Sequence, residues 1–249
     1  MKKIQQDVEQ MLVRAVALHE TADGSFAEEI ALLRHAIATC KAHPGFPLDD
    51  PGLLAAQNNL ASSLMASAEA STTFSSAGAL REEAKSLYQA SLDARPSYIP
   101  SALGLASCLF EDGQFEESAR FYRLCIADLE SVRDPLEQHG CHLCLVHSSL
   151  GFALLALDRW AEAKEAFLQA VQTFKPFPPS LDQASLADTH FGLAQVSLRA
   201  SNWVETIGHC CKALQCDPKY VLSSFFFCSS ILNSHCGFEK ATQDLNCIL

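Results

Sequence analysis

Two short clusters of cysteine and histidine supply the residue types that bind metals or carry thiol redox chemistry. They are His139, Cys141, Cys144 and His147, and further along the chain His209, Cys210 and Cys211. The spacing of Cys141 and Cys144 suits a pair of zinc ligands or a redox dithiol. Both clusters lie within helical patterns, whereas a zinc knuckle needs a turn and a thioredoxin-like site needs a neighbouring strand. The sequence therefore predicts no metal and no cofactor, with a metal- or redox-active protein using Cys141 and Cys144 as an alternative.

Other arrangements that enzymes need are missing from the sequence. The nine histidines are scattered, so their spacing assembles no Ser-His-Asp or Cys-His set. The eleven glycines are mostly isolated at turns, and they form no glycine-rich loop that cradles a phosphate. We therefore predict that the protein is not an enzyme.

The composition is acidic and rich in apolar residues. A net charge of −11 disfavours binding to nucleic acid or to an anionic membrane surface, since both need a basic face. No apolar run approaches the roughly 18 residues of a membrane span, and the N-terminus has no apolar signal core. An odd number of cysteines, eleven, in helical patterns indicates free thiols in a reducing compartment. These features predict a cytoplasmic protein, with the nucleus as the alternative location.

The stretch 150–171 contains two apolar helical stripes separated by a break at Asp158–Arg159. The stripes consist of Leu150, Gly151, Leu154 and Leu157, and of Ala163, Phe167, Ala170 and Val171. The small residues Gly151 and Ala163 let two helices cross closely, and Trp160 fills space where the crossing opens. The stretch therefore predicts a helical hairpin, which needs similar neighbours to bury its apolar faces.

The same pattern recurs at 105–126 and 193–214, where Phe115 and Trp203 take the place of Trp160. Equivalent small residues follow one another at steps of 43 to 45 residues: Ala17, Ala61, Ala106, Gly151 and Ala194. These copies resemble the tetratricopeptide repeat (TPR) family. The long period, together with His43-Pro44, Asp50-Pro51 and the Asn-Asn-Leu-Ala run at 58–61, resembles the repeats of kinesin light chains. The resemblance implies an all-α fold, an α-solenoid coiled into a right-handed superhelix of about six helix-turn-helix repeats.

The resemblance also suggests where the repeats begin and end. A single array over 1–249 is predicted, with repeats at 4–42, 52–95, 98–130, 142–175, 184–217 and 220–249 and an insertion at 65–79. Within the insertion, Ser71–Gly78 is predicted to be a loop, because the segment is rich in serine, threonine and alanine. Three prolines break the chain at 43–51, and Asp49 or Asp50 can cap the next helix with Pro51 in its first turn.

The last predicted repeat has no polar capping helix after it. A solenoid usually needs such a cap to cover its apolar end. We therefore expect that another molecule covers this end, or that the chain is a fragment or splice form of a longer array. Self-association through Phe225–Leu249 is one such possibility.

The family resemblance implies a concave groove, lined by the first helix of each repeat, that binds an extended peptide or a helix of a partner protein. The implied lining residues are Asn58, Asn59, Ser62, Leu103, Ser107, Phe110, Ser148, Phe152, Leu155, Asp188, Phe191, Gln195 and Arg199. The same positions also include Glu111 and Ser149, and in the sixth repeat Phe225, Ser229 and Asn233. Asparagine suits such a groove, because its amide can bond both a peptide N–H and a C=O.

The lining residues also indicate what the groove binds. A chaperone-type carboxylate clamp needs lysine and arginine beside asparagine, and Arg14 is the only basic candidate early in the chain. Repeats three to six instead favour an apolar or helical ligand. The leading hypothesis is a non-enzymatic adaptor or scaffold that works within a larger complex. The alternatives are a scaffold subunit of an RNA-processing assembly and the metal- or redox-active protein named above.

Overall fold

A computed structural model of the chain describes residues 2–21, 26–71, 74–131, 138–174 and 183–217, and every regular element in that part is an α-helix. The helices are α1 (Lys2–Thr21), α2 (Ala27–Lys41), α3 (Pro51–Ala70), α4 (Phe74–Ala94), α5 (Ile99–Glu111), α6 (Phe115–Ser131), α7 (Gln138–Ala156), α8 (Trp160–Thr173), α9 (Gln183–Arg199) and α10 (Trp203–Cys216). The predicted all-α fold is confirmed. The sixth predicted repeat, with its lining residues, lies outside the described residues.

The chain divides into two compact units, Met1–Phe121 and Tyr122–Leu249, here called unit 1 and unit 2. In unit 1, each of the helices α1 to α5 packs against the next, and α3 also contacts both α1 and α5. In unit 2, α7 to α10 pack in the same sequential way, and α7 also contacts α9. The odd-numbered helices, here called first helices, therefore form one layer in each unit, and the even-numbered second helices form the other. Over the described ranges, no helix combines the length and the apolar character needed to cross a bilayer.

The start of α3 shows how the connector positions a helix. Pro51 occupies the first turn, and the Asp50 carboxylate accepts hydrogen bonds from the amides of Gly52 at 2.9 Å and Leu53 at 3.2 Å. Of the two candidate caps, Asp50 is therefore the one used. Its other oxygen accepts a 2.8 Å bond from the side-chain amide of Gln5, so the cap also ties α1 to α3.

The loop predicted at Ser71–Gly78 is wrong from Phe74 onward. Helix α3 continues to Ala70 and α4 begins at Phe74, so most of the insertion lengthens two helices. Alanine has the highest helix propensity, and Ala68 and Ala77 are both buried. Within the segment predicted to be a loop, Ala77 therefore packs into the interior of the hairpin.

Three hairpins turn in the same way. The left-handed residue of the turn is Gly113 (φ 76°), Asp158 (φ 58°) or Ser201 (φ 56°). The next amide then donates to a carbonyl five residues earlier, at 2.8 to 2.9 Å: Gln114 to Leu109, Arg159 to Leu154 and Asn202 to Ser197. This bond satisfies a carbonyl that the end of a helix leaves unpaired. Phe115, Trp160 and Trp203 begin the helix that follows, so the predicted equivalence of these aromatic residues is confirmed.

Aromatic side chains from second helices fill notches in first helices. The ring of Phe167 is 0% exposed, and a Cβ at Gly151 would lie 2.6 Å from it and one at Gly192 2.3 Å. In unit 1, a Cβ at Gly104 would lie 2.2 Å from the ring of Tyr88. Tyr88 and Phe167 each lie four residues after a buried alanine, so they hold the same position in two different repeats. Glycine is required at these contacts because the ring occupies the space of a side chain.

One buried position between the helices of unit 1 holds a carboxylate instead of an apolar side chain. Glu29 on α2 has an ionisable side chain, yet it is only 4% exposed. Its carboxylate accepts a 2.6 Å bond from the Ser63 hydroxyl and lies 3.2 Å from Nδ1 of His19. A buried carboxylate is tolerated when hydrogen bonds replace its lost water. Glu29 therefore joins α2 to both α1 and α3.

Charged residues on second helices pair across repeats. In unit 1, Arg34 on α2 contacts Glu83 on α4 at 2.8 Å. In unit 2, Arg123 on α6 contacts Glu162 on α8 at 3.1 Å, and Lys164 on α8 contacts Glu205 on α10 at 3.1 Å. The side chains of these pairs are half-buried or exposed. Each such pair adds little stability, of the order of 0 to 1 kcal/mol.

Candidate functional site

The first-helix layer of unit 1 contains a pocket of about 290 Å³, here called the unit 1 pocket. It is lined by Ser62, Met65, Ala66, Glu69, Tyr88, Gly104, Ser107 and Glu111. Ser62 and Ser107 belong to the predicted groove and are exposed, as is Glu111. The structure therefore brings groove residues of two successive repeats together around one cavity.

The pocket exists because of how Tyr88 is held. Gly104 leaves room for its ring, and its hydroxyl shares a 3.1 Å hydrogen bond with the hydroxyl of Ser62. Burial raises the pKa of Tyr88 to about 12, although the bond to Ser62 opposes the shift. The phenol is thus a neutral hydrogen-bonding group at physiological pH.

A thiol lies next to the pocket but is poorly suited to chemistry. The Sγ atom of Cys108 is 3.4 Å from the Sδ atom of Met65. Burial, followed by the negative charge of Asp112, raises the pKa of Cys108 to about 12. Because the thiolate is the reactive form, Cys108 is a weak nucleophile near neutral pH. The pocket therefore has the features of a binding site and lacks an activated nucleophile among its described neighbours.

The first helices of unit 2 present a more aromatic surface. Phe152 is half-buried, and its ring meets the ring of Phe167 edge-on with centroids 5.0 Å apart. Leu155, Phe191 and Gln195 are also half-buried. Arg199 is exposed, and its guanidinium lies over the Trp160 ring, 5.3 Å from the centroid. These side chains leave apolar surface accessible on α7 and α9, which both belong to the first-helix layer of unit 2.

Two predicted groove residues instead hold neighbouring first helices together. Asn58 accepts a 3.4 Å bond from the hydroxyl of Ser101, which joins α3 to α5. Ser148 is 3% exposed and accepts a 3.1 Å bond from the hydroxyl of Thr189, which joins α7 to α9. Asn58 and Ser148 each lie three residues before the recurring small residue, so the same contact repeats in both units. Ser148 is inaccessible to a partner in this conformation.

The remaining predicted lining residues have accessible surface. Those that are half-buried are Asn59, Leu103, Phe110 and Asp188. Phe110 packs edge-on against Phe115 with ring centroids 5.3 Å apart. Twelve of the thirteen predicted lining residues are therefore half-buried or exposed. All thirteen lie on first helices.

Five pocket residues were missed by the sequence-based prediction, namely Met65, Ala66, Glu69, Tyr88 and Gly104. Met65, Ala66 and Glu69 all fall within the predicted insertion at 65–79, and they were not assigned to the groove. They follow Ser62 at helical spacings of three, four and seven residues, which places all four on one face of a continuous helix. The signal was present in the sequence, because the alanine-rich stretch 65–70 was expected to be able to prolong the first helix, but these residues were not assigned to the groove.

The structure gives no support for a metal or redox site at Cys144. Its side chain is 2% exposed in the core of unit 2, while the side chain of Cys141 lies outside the described part of the chain. Burial lowers the pKa of His147, which also belongs to this cluster. Within the described residues, no three histidine, cysteine, aspartate or glutamate side chains converge to hold a metal ion.

A histidine pair in unit 2 was also not foreseen. Nδ1 of His190 on α9 lies 3.3 Å from Nδ1 of His209 on α10, and the two rings are stacked. Burial, followed by the charges of His209 and Lys212, lowers the pKa of His190 to about 4. Burial likewise lowers the pKa of His209. At neutral pH one uncharged imidazole can therefore donate a hydrogen bond to the other.

No protein-family model matches the sequence, and no curated protein is similar to it in sequence. Solved structures, in contrast, match most of the chain. BtubC (BKLC) from P. vanneervenii superposes with a TM-score of 0.66 at 16% identity, over 87% of this chain and 82% of that one.

Two further structures are repeat proteins by description. A Podosopora anserina kinesin light chain-type protein with nearly identical TPR-like repeats has a TM-score of 0.60 at 19% identity, over 88% of this chain and 98% of that one. A thermophilic TPR protein of Thermus thermophilus has a TM-score of 0.53 at 17% identity, over 90% of this chain and 98% of that one. At such low identities the likeness concerns the fold alone. The chain therefore has the all-α helical-repeat fold of the tetratricopeptide-repeat proteins, as the sequence pattern predicted.

Proposed function

We propose that the protein is a non-enzymatic adaptor or scaffold that binds a segment of a partner protein along its first helices. The observation that supports this most strongly is the accessible first-helix face, which carries a pocket in unit 1 and aromatic side chains in unit 2. Surface that a helix layer leaves uncovered, with polar groups placed beside apolar ones, is the usual character of a peptide-binding groove.

The two helix layers differ in what they offer to a partner. Second helices carry exposed ion pairs across repeats, such as Arg34–Glu83 and Arg123–Glu162. Their charges are therefore already matched within the chain. First helices instead carry the exposed Ser62 and Ser107 and the half-buried Phe152, which suit hydrogen bonding and apolar contact with another polypeptide.

Site-specific photo-cross-linking tests this assignment. A photoreactive phenylalanine analogue is placed at Ser107 or Gln195 on first helices, and at Ser86 or Gln172 on second helices as matched controls. All four positions are accessible to solvent in whole or in part. We expect the first-helix positions to cross-link one recurring partner in extracts of the source cells, whereas the controls do not. Cross-linking confined to Ser86 and Gln172 would contradict the proposal.

A further inference from the structure

The unit 1 pocket is small compared with most ligand-binding pockets. Its volume of about 290 Å³ lies just below the roughly 300 to 1,000 Å³ of pockets that hold whole small molecules. It is also open between two first helices, where a partner segment lying along the layer would pass. One projecting side chain of a bound polypeptide therefore fits it better than a free metabolite or cofactor.

The rim of the pocket carries two carboxylates. Glu69 and Glu111 are both exposed, and neither forms a salt bridge with the part of the chain that the structure describes. The cation Lys85 contacts Asp112 and Glu82, each at 2.5 Å, and it does not line the pocket. The charge of the rim is thus left available to a ligand.

Helix direction adds to this preference. Glu69 lies in the last turn of α3, and Glu111 is the last residue of α5. The C-terminal end of a helix carries partial negative charge on its unpaired carbonyl groups, so it favours a cation. The C-terminal ends of α3 and α5 and the two carboxylates therefore all favour a cation at the rim of the pocket.

The pocket is lined by both apolar and weakly polar groups. Met65, Ala66 and the ring of Tyr88 offer contact to a methylene chain. The hydroxyls of Ser62 and Ser107 accept hydrogen bonds from an ammonium or guanidinium group. Long basic side chains have this two-part chemistry, since an aliphatic stem carries a charged head.

We propose that the unit 1 pocket receives a lysine or arginine side chain from the partner segment bound along the first helices. The inference rests on the proposed function, because it names the chemistry of the partner at that same surface. A bare metal ion fits less well, because much of the pocket lining is apolar. Charge complementarity also agrees with the net charge of −11, which attracts basic partners generally.

A peptide selection tests the inference and does not require the identity of the partner. The full chain is immobilised and used to select from a phage library of random 16-residue peptides. The double variant E69Q/E111Q is used in parallel, together with D93N/E117Q as a control. Asp93 and Glu117 are exposed residues of unit 1 outside the pocket, so the control changes the net charge equally. Thermal unfolding confirms that both variants remain folded.

We expect the native chain and the control to select peptides with a recurring lysine or arginine at one position. A selected peptide should bind E69Q/E111Q at least about tenfold more weakly. Replacing its basic residue by norleucine should lower the affinity for the native chain by a similar factor. The same replacement should lower the affinity for the double variant only slightly. Such non-additivity locates the basic side chain at the two carboxylates.

The contrary outcomes separate the two proposals. Peptides that bind the native chain without a recurring basic residue, or that bind E69Q/E111Q equally well, overturn the inference and leave the proposed function standing. A selection that yields no peptide whose binding depends on first-helix residues overturns both proposals. The salt dependence of peptide affinity gives a further check. The affinity should fall between 50 and 500 mM salt, because salt screens a charge pair at the rim.

Discussion

The contacts of Tyr88 in unit 1 and Phe167 in unit 2 occupy the same position of the repeat but are built differently. Phe167 is enclosed between Gly151 on its own first helix and Gly192 on the next one. Tyr88 meets a glycine only on the next first helix, at Gly104, and its hydroxyl reaches the exposed Ser62. The second glycine lets the ring of Phe167 become fully buried, whereas the phenol of Tyr88 remains at the wall of a pocket.

This difference suggests that the same repeat position can contribute to stability in one repeat and to ligand binding in another. A ring enclosed on both sides contributes the most buried apolar area, but it leaves no cavity for a ligand. The ring of Tyr88 is also buried, at 3% exposed, but it contacts a single glycine and its polar end borders a pocket. Unit 2 should therefore depend more on this aromatic contact for stability than unit 1 does.

The largest expected effect tests that dependence directly. Phe167→Ala should lower the free energy of unfolding by roughly 3 to 5 kcal/mol, because it leaves a cavity between three helices. Urea denaturation followed by circular dichroism measures the change. Tyr88→Ala is the matched variant, and we expect a smaller loss since the space left by its ring would open into the unit 1 pocket. An equal or larger loss for Tyr88→Ala would contradict the comparison.

Acidification should affect unit 2 through its buried histidine. The pKa of His190 is lowered from 6.5 to about 4, so below pH 6.5 the unfolded chain binds the proton more tightly than the folded chain does. Stability should therefore fall as pH drops from about 6.5 to about 4, by about 2 kcal/mol at pH 5. Unfolding at pH 7.5 and pH 5 measures it.

The control for this pH dependence is a change at an exposed histidine. His190→Gln should remove most of the difference between pH 7.5 and pH 5, while His43→Gln should leave it intact because His43 is exposed. A His190→Gln variant that keeps the full pH dependence would show that another group is responsible.

The two glycine notches offer a finer test of the same comparison. Gly192→Ala should destabilise the protein by roughly 1 to 2 kcal/mol, because the new Cβ meets an enclosed ring. Gly104→Ala should cost less, since the ring of Tyr88 can shift toward the pocket and alanine favours the helix. Thermal unfolding of both variants gives the ranking.

A double variant makes the glycine test more stringent. In a Phe167→Ala background the ring is gone, so Gly192→Ala should become neutral or stabilising. A cost that persists in that background would mean that the ring is not the reason for the glycine. The double-mutant cycle therefore isolates the contact between the two residues.

The smallest expected effect concerns the turns. Ser201 in unit 2 has a left-handed backbone conformation that costs a residue with a side chain, whereas unit 1 has Gly113 at the equivalent place. Ser201→Gly should stabilise the protein by about 0.5 to 1 kcal/mol, and Gly113→Ser should destabilise it by a similar amount. Chemical denaturation measures both, and changes of the same sign would contradict the equivalence of the turns.

Much of the fold follows from local sequence patterns. The recurring small residues and the aromatic residues Phe115, Trp160 and Trp203 predicted the hairpins, because helical spacing is a property of neighbouring residues. The error at Ser71–Gly78 has a physical cause, since serine and alanine occur both in loops and in closely packed helices. Only packing distinguishes the two, and the sequence of that segment does not reveal its neighbours.

The candidate site was predicted only in part for the same reason. Ser62 and Ser107 were assigned to the groove from their repeat positions, and they line the pocket. Asn58 and Ser148 were assigned in the same way, but each bonds a neighbouring first helix. A polar residue on a helix surface can face a partner or a neighbouring helix, and repeat position alone does not decide which.

The sequence by itself determined that the chain forms helical hairpins of the TPR type, because apolar periodicity and turn residues act over a few positions. The tertiary structure decided which glycines receive a ring, as Gly104 and Gly192 do, and where burial changes a pKa, as at His190. It also decided that one aromatic contact is closed and the other borders an acidic pocket. These properties depend on atoms from helices distant in sequence, whose approach only the packed fold fixes.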